Sequence, residues 1–141
     1  VGNEEFMLTY GDGVCDIDMH KELEYHKAHG KICTMSIVQP GSRFGVIELD
    51  QNNVVEKFME KPKEDGAWIN GGFFILKPEV FNYLHADAND IMWERQPLED
   101  LAKDGELVAF KHNGFWKCMD TLRDNKDLNN MWDNDPEWKN W

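Results

Sequence analysis

The chain has 141 residues, of which 15 are Lys or Arg and 27 are Asp or Glu, so its formal net charge is −12. Hydrophobic residues make up 41% of the chain and aromatic residues 12%, which excludes a disordered tail that could not bury a core. The acidic balance argues against duplex nucleic acid as a partner, because phosphate contacts need clustered Lys and Arg. The length predicts one domain over residues 1–141, or part of a larger one.

The sequence also limits where such a chain works. No apolar run approaches the ~20 residues that span a bilayer, and no charged and then apolar leader opens the chain, so we expect no membrane partner. Cys15, Cys33 and Cys118 are widely spread and form no CxxC pair. This pattern fits a reducing compartment and argues against a disulfide framework or a structural zinc site. We therefore expect a soluble, cytoplasmic protein.

The first part of the chain predicts a strand, a helix and a second strand. Phe6–Tyr10 is an apolar run that ends at the turn Gly11–Gly13, as a buried strand does. A helix follows, with Asp16 or Asp18 as its N-cap and Gly30 as its C-terminal stop. The spacing is that of a βαβ unit with parallel strands. The first strand is either an edge, which invites pairing with another chain, or lacks a preceding neighbour.

Apolar runs and turn signals in the rest of the chain predict further strands with helices between them. Two hairpins are indicated, one around residues 50–53 and one at Asn113-Gly114, which is the strongest two-residue hairpin signal. The expected fold is α/β, with a mixed, mostly parallel sheet, flanking helices and β-hairpins. Predicted strands cover Ile32–Val38, Phe44–Leu49, Val54–Met59, Ile69–Leu76, Leu107–His112 and Phe115–Met119, and helices begin at Pro78, Pro97 and Thr121.

Two aspartates follow predicted strands and are candidate metal ligands. Asp12 lies between two glycines at the end of the first strand, where open α/β sheets bind ligands, and its carboxylate suits Mg²⁺. A plain Asp-Gly turn is the alternative, and such turns are common. Asp120 follows an aromatic strand and precedes a helix, so capping that helix is its alternative role. Two aspartates at neighbouring strand ends would supply a Mg²⁺ site.

Two further segments are candidates for substrate contacts. Lys61 ends a predicted strand before Pro62 and could hold a phosphate, although a solvated charge run is an equal alternative. Gly71-Gly72 interrupts an apolar strand, which indicates a bulge or a close approach of the backbone to a ligand. Neither GxxxxGK[ST] nor GxGxxG occurs in the sequence.

Other residue clusters favour structural roles. His20, His26 and His29 share one predicted helix without an HExxH motif, so a solvated helix face is favoured over a metal site. No GxSxG occurs and no cysteine has a neighbouring base in sequence, so nucleophilic hydrolysis gains no support. The tryptophans are interpreted as core and interface anchors: Trp68, Trp93, Trp116, Trp132, Trp138 and Trp141.

Taken together and in order, these segments resemble the carboxyl-terminal half, or somewhat more, of the glucose-1-phosphate cytidylyltransferases, which are sugar nucleotidyltransferases that make CDP-glucose. Trp68–Leu76 and Phe115–Asp124 separate this branch from the thymidylyl- and uridylyltransferases. The resemblance covers nearly the whole chain and fades after about Trp132. The matching segments are Phe6–Val14, Arg43–Leu49, Phe58–Pro62, Trp68–Leu76, Trp93–Leu107 and Phe110–Arg123.

The resemblance implies a Rossmann-like nucleotidyltransferase fold and a direct displacement, in which a glucose 1-phosphate oxygen attacks the α-phosphorus of CTP and pyrophosphate leaves. It implies that Asp12 and Asp120 hold Mg²⁺ and that Lys61 contacts the sugar phosphate. The implied positions on the sugar side are Asn70, Gly72, Gly45 and Glu94.

The chain departs from the family at its beginning. Family members open with a strand and a GGxGTR loop that wraps the triphosphate, whereas this chain begins at Val1 and its only Gly-Gly is Gly71-Gly72. We therefore expect a truncated or split enzyme that keeps the glucose 1-phosphate and Mg²⁺ side and is inactive alone. We also expect a homo-oligomer that pairs through the exposed first strand and the Trp-rich tail. The alternatives are a non-catalytic, oligomeric interaction module and an enzyme of another nucleotide specificity.

Overall fold

The structure is a computed structural model that describes residues 2–40, 45–49, 55–60, 67–84 and 92–139, with the backbone alone at 45–49 and 55–60. The helices are α1 (Met19–His29), α2 (Gln96–Lys103) and α3 (Leu122–Asn134), and a 3₁₀ helix covers Pro78–Tyr83. The strands are β1 (Phe6–Thr9), β2 (Gly13–Cys15), β3 (Cys33–Val38), β4 (Gly45–Leu49), β5 (Val55–Glu60), β6 (Ile69–Leu76), β7 (Leu107–His112) and β8 (Trp116–Cys118).

The central sheet has four strands in the order β1-β6-β3-β7. Because β6 is antiparallel to both β1 and β3, and β3 is parallel to β7, three of the four strands run in one direction. The prediction of a mixed, mostly parallel sheet with flanking helices is confirmed. Strands β4 and β5 form the antiparallel hairpin predicted around residues 50–53, and β2 pairs antiparallel with β8 in a separate two-stranded ribbon.

The predicted strand–helix–strand unit exists, but its two strands are not neighbours. Strands β1 and β3 are parallel to each other, as expected, and β6 lies between them. Phe74, Ile75 and Leu76 in β6 are almost completely buried, so this strand takes the central position. Strand β1 alternates between half-buried and exposed residues, and Met7 is 51% exposed. The expectation of a buried strand is therefore met only in part, and β1 takes the edge position that the sequence left open, among the strands that the structure describes.

The hairpin predicted at Asn113-Gly114 is also wrong. Strand β7 pairs along its whole length with β3, and β8 pairs with β2 instead of β7. Tertiary partners hold the corner between them, because the backbone N–H of Asp16 donates to the carbonyl of Phe115 over 3.2 Å. The side chain of His112 lies 3.0 Å from the same carbonyl oxygen. The segment thus turns from one sheet to another.

An apolar core lies between the central sheet, the 3₁₀ helix and α2. Helix α2 has Pro97 in its first turn and buries Leu98 and Leu101, and Gly105 (φ +71°) follows its end, as predicted. Trp93 packs edge-on against Phe74, with ring centroids 5.5 Å apart. The buried members of this core are Cys33, Phe74, Leu76, Val80, Leu98 and Leu101.

Helix α1 begins and ends where the sequence predicts. The Asp18 carboxylate accepts hydrogen bonds from the backbone N–H groups of His20 and Lys21 at 3.1 Å, and Gly30 caps the other end with φ +69°. The residues that this helix buries are Glu22 and His26, rather than apolar side chains.

The expected solvated histidine face is wrong for two of the three histidines. His26 is completely buried and His29 is partly buried, whereas His20 is exposed. Both buried rings contact the β3 hydroxyl of Thr34, with 2.7 Å from His26 Nδ1 and from His29 Nε2 to Thr34 Oγ1. This face of α1 is therefore buried against the sheet because β3 provides a polar partner for its histidines. In the part of the chain that the structure describes, no helix is long and apolar enough to cross a membrane.

Candidate functional site

The two predicted metal ligands lie at the same end of the β2–β8 ribbon. Gly13 pairs with Cys118, and the backbone N–H of Met119 donates to the carbonyl of Asp12 over 2.7 Å. Since the strands are antiparallel, Asp12 just before β2 and Asp120 just after β8 come to one end. Both side chains line a cavity of about 250 Å³. Residues that are far apart in the sequence therefore share one cavity.

Asp120 is not the helix cap that the alternative interpretation required. Thr121 caps α3, because its hydroxyl oxygen accepts from the N–H of Asp124 over 3.1 Å. The carboxylate of Asp124 accepts from the N–H of Thr121 over 3.0 Å, which completes a capping box. The exposed Asp120 carboxylate accepts a hydrogen bond from the Cys118 thiol, with Sγ and Oδ2 3.2 Å apart, and contributes to the cavity.

The paired glycines of β6 form the wall of the same cavity. The register between β3 and β6 shifts at this point, so the predicted bulge is confirmed. Asn70 stabilises it, since its Oδ1 accepts from the N–H of Gly72 over 2.8 Å. Gly72 has φ +82°, and a Cβ placed there would lie 2.7 Å from a ring carbon of Tyr10. The close approach that the glycines allow is that of the Tyr10 ring.

Tyr10 connects the predicted sugar-side residues and was missed by the sequence analysis. Its hydroxyl oxygen accepts a hydrogen bond from Asn70 Nδ2 over 3.1 Å, and the carboxylate of Glu94 is near enough to affect the pKa of Tyr10. Burial raises the pKa of Tyr10 to about 12. The negative charges of Glu94 and Asp12 also raise this pKa, whereas the hydrogen bond with Asn70 lowers it. Tyr10 is therefore a neutral phenol at physiological pH. Its position directly before the Gly11–Gly13 turn was the available signal.

Two other predicted residues, Gly45 and Lys61, belong to the part of the chain around β4 and β5. Lys61 falls outside the described residues. Gly45 opens β4, and its backbone pairs with Glu60, the last residue of β5.

The donor set at the cavity fits Mg²⁺ bound jointly with a substrate. No group of three or more metal-ligating side chains occurs among the described residues, so Asp12 and Asp120 would act as a pair. Mg²⁺ is commonly held by one or two carboxylates, with water and substrate phosphates completing its octahedral shell. Both aspartates are exposed, which leaves room for these additional ligands.

A tryptophan and the thiols complete the description of the site. Trp116 lines the cavity and donates from its indole Nε1 to the carbonyl of Gly71 over 2.8 Å, which fixes the ring against the bulge. Burial raises the pKa of Cys15 to about 11 and that of Cys33 to about 12, so both remain protonated at neutral pH. Neither of these two thiols therefore has the lowered pKa that is typical of a cysteine nucleophile.

A family model described as nucleotidyl transferase matches residues 1–128. This chain belongs to the nucleotidyl transferase family. It is 49% identical over 140 residues to the glucose-1-phosphate cytidylyltransferase of Salmonella typhi, a match that covers 99% of this chain and 53% of that protein. It is 33% identical to the mannose-1-phosphate guanyltransferase of Saccharomyces cerevisiae, over 86% of this chain and 35% of that protein.

The fold of this nucleotidyl transferase chain also matches a solved structure. A Bacillus anthracis protein described as a glucose-1-phosphate thymidylyltransferase superposes with a TM-score of 0.64 at 21% identity, over 93% of this chain and 55% of that one. This likeness supports the Rossmann-like α/β fold. The chain spans about half the length of the bacterial cytidylyltransferases that it matches.

Proposed function

We propose that this chain carries the sugar-phosphate and Mg²⁺ side of a glucose-1-phosphate cytidylyltransferase. The observation that carries the proposal is the cavity shared by Asp12 and Asp120, which the sequence alone did not bring together. Asn70 and Gly72 line the same cavity. A pair of carboxylates beside a polar pocket is suited to a substrate that brings its own phosphates to the metal.

In this proposal the protein positions groups rather than forming covalent bonds with them. Asp12 and Asp120 hold the metal, which when bound neutralises the charge that develops on the transferring phosphoryl group. Tyr10 orients Asn70 on the side that takes the sugar hydroxyls, and Glu94 is the further residue proposed there. Lys61 supplies the positive charge for the phosphate of the sugar. Alignment of the two reacting phosphates provides most of the remaining rate enhancement.

Glucose 1-phosphate and CTP are proposed as the substrates because the identity to the named cytidylyltransferase is 49%, against 33% to the named guanyltransferase. The 141 residues contain no GGxGTR segment, which in the family wraps the triphosphate. We therefore propose that the chain binds glucose 1-phosphate with Mg²⁺ and does not form CDP-glucose by itself.

Thermal unfolding with and without ligand tests this assignment. Glucose 1-phosphate together with Mg²⁺ should raise the melting temperature, because a ligand that binds only the folded state stabilises it by mass action. Asp12→Asn and Asp120→Asn should each remove most of this shift. Asp133→Asn, an exposed change on α3, is the matched control and should retain it. An equal shift in Asp12→Asn and in the unchanged chain would contradict the assignment.

A second assay separates ligand binding from catalysis. Pyrophosphate release should remain at the blank level when the chain is mixed with CTP, glucose 1-phosphate and Mg²⁺. Turnover above the blank would show that the 141 residues suffice for the reaction and would contradict the proposed inactivity.

One observation favours a second candidate function, a non-catalytic interaction module. Strand β1 is an edge of the central sheet, and Met7 (51% exposed) and Phe81 (45% exposed) lie on or beside it. Phe81 stacks on Phe6 with ring centroids 5.7 Å apart, which makes an apolar surface next to an open strand edge. Such an edge is a template for pairing with a second chain. The absence of any ligand-induced shift, with a melting temperature that depends on protein concentration, would favour this function.

A further inference from the structure

A second cavity, of about 430 Å³, lies at the carboxyl ends of β3 and β7. Val38 and His112 are the last residues of these two parallel strands and are paired with each other, and both line the cavity. Open α/β sheets bind their ligands outside the carboxyl ends of parallel strands. The volume is in the range of small-molecule sites. The position therefore suits a ligand, although Asp12, Asp120, Asn70, Gly72 and Glu94, the predicted site residues that the structure describes in full, do not line this cavity.

The cavity contains a fixed pair of side chains, Asp16 and His112. His112 Nε2 lies 2.9 Å from Asp16 Oδ1 and 3.0 Å from the carbonyl oxygen of Phe115. The carbonyl of Phe115 accepts a hydrogen bond from His112 Nε2, so this nitrogen carries a proton, whereas the buried Asp16 Oδ1 beside it has no hydrogen-bond partner among the described residues. The His112 side chain is only 11% exposed, which holds the ring in this orientation.

The absence of a side chain at Gly114 allows Asp16 and His112 to lie next to each other. A Cβ at this position would lie 2.3 Å from Asp16 Oδ1 and 2.7 Å from His112 Cε1. Any side chain would therefore push the carboxylate and the imidazole apart. The glycine that resembled a hairpin signal in the sequence serves a close approach of two polar side chains at the cavity wall.

The lining of the second cavity determines which chemistry it accepts. Asp16 and Glu137 contribute carboxylates, Phe115 and Trp116 contribute aromatic rings, and no Lys or Arg is found among its described lining residues. An anion would be repelled by such a wall, whereas hydroxyl groups can donate to the carboxylates. The aromatic rings offer apolar surface to the C–H face of a ring. Carboxylates with aromatic rings are complementary to an uncharged sugar.

We propose that the cavity formed around Asp16 and His112 is a second binding site, which takes a neutral pyranose without a phosphate. Trp116 lines this cavity and also the Asp12–Asp120 cavity, so the two sites share one wall. The proposal does not depend on nucleotidyl transfer, because its ligand needs neither the metal nor a phosphate. It assigns a role to Asp16, Gly114 and Glu137 that the first cavity leaves unexplained.

Binding of D-glucose to the full chain without Mg²⁺ tests the proposal, measured by saturation-transfer NMR and by tryptophan fluorescence. Glucose should bind in the millimolar range, and Asp16→Asn should weaken it about tenfold, since about 1.4 kcal/mol of hydrogen bonding to a charged acceptor is lost. Glu137→Gln, on an exposed side chain that leaves folding intact, should also weaken glucose binding.

Asp12→Asn is the control for location and should leave glucose binding unchanged, because Asp12 lines the first cavity and does not line the second. Failure of glucose to bind would overturn the second site and leave the glucose 1-phosphate assignment intact. Loss of glucose binding in Asp12→Asn, with retention in Asp16→Asn and Glu137→Gln, would overturn it as well. In that case glucose would occupy the first cavity.

Discussion

At the scale of single residues, two glycines allow side chains from distant parts of the chain to approach the backbone. Gly72 admits the ring of Tyr10, and Gly114 admits the Asp16–His112 pair. Only Gly72 also has a positive φ, at +82°. Gly72 lines the first cavity and Gly114 lines the second, so each glycine is required for packing at the wall of a candidate site.

Substitution of Gly72 tests this packing. Gly72→Ala should lower the free energy of unfolding by about 3 kcal/mol, because it adds a clash with Tyr10 to the strain of a left-handed residue. Gly105→Ala is the matched control, since Gly105 has φ +71° with no atom within 4 Å of an added Cβ. It should lose about 1 kcal/mol from strain alone. Urea unfolding measures the free energy of unfolding of both variants. Equal losses in the two variants would mean that the clash with Tyr10 does not contribute to the loss of stability.

At the scale of elements, helix α1 is held on the sheet by polar contacts. Ser36 donates a 2.7 Å hydrogen bond to Glu22 Oε1, and no partner for Oε2 occurs among the described residues. Burial raises the pKa of Glu22 to about 7. Burial lowers the pKa of His26 and of His29. The histidines therefore contribute stability that is present above about pH 6.5 and lost as the pH falls.

The carboxyl of Glu22 has the opposite pH dependence. Its folded pKa lies above the ordinary value of 4.5, so its contribution is fully present below about pH 4.5 and is lost as the pH rises through about 7. Glu22→Gln keeps an acceptor for Ser36 and removes the buried charge. It should stabilise the protein at pH 8 by about 2–3 kcal/mol, and this gain should shrink toward pH 4.5.

Chemical unfolding at several pH values measures the effect of Glu22→Gln. The control is Glu24→Gln, because Glu24 is exposed on the same helix. A surface change of this kind should alter stability by less than about 0.5 kcal/mol at any pH. A gain that is the same at pH 5 and pH 8 would contradict the raised pKa of Glu22.

At the scale of the whole molecule, we expect any association of this chain to use the edge strand β1. Met7 projects from this edge strand and is 51% exposed. Met7→Lys should shift sedimentation toward monomer, because a charge on an edge strand opposes pairing with a second chain. Met92→Lys is the matched control, since Met92 is 57% exposed and lies outside any strand. A strict monomer at micromolar concentration before any substitution would contradict association through β1.

Local signals in the sequence were sufficient for the elements and their caps. The N-cap at Asp18 and the stops at Gly30 and Gly105 depend on neighbouring residues alone. The family also followed from the sequence, because its motifs recur in order along the chain. For the same reason Asp12 and Asp120 were identified as candidate site residues, although their roles remain predictions.

The tertiary structure decided how these elements pair and which polar residues are buried. Asn113-Gly114 resembles a hairpin turn, yet β7 pairs with β3 and β8 pairs with β2. These partners are distant in sequence and pair with β7 and β8 along their whole length. The sequence predicted a solvated His26, whereas in the fold this side chain is buried against Thr34. Helix caps depend on interactions between neighbouring residues, so the sequence alone determined them. Strand order, buried polar pairs and the two cavities depend on contacts between distant segments, which only the folded chain brings together.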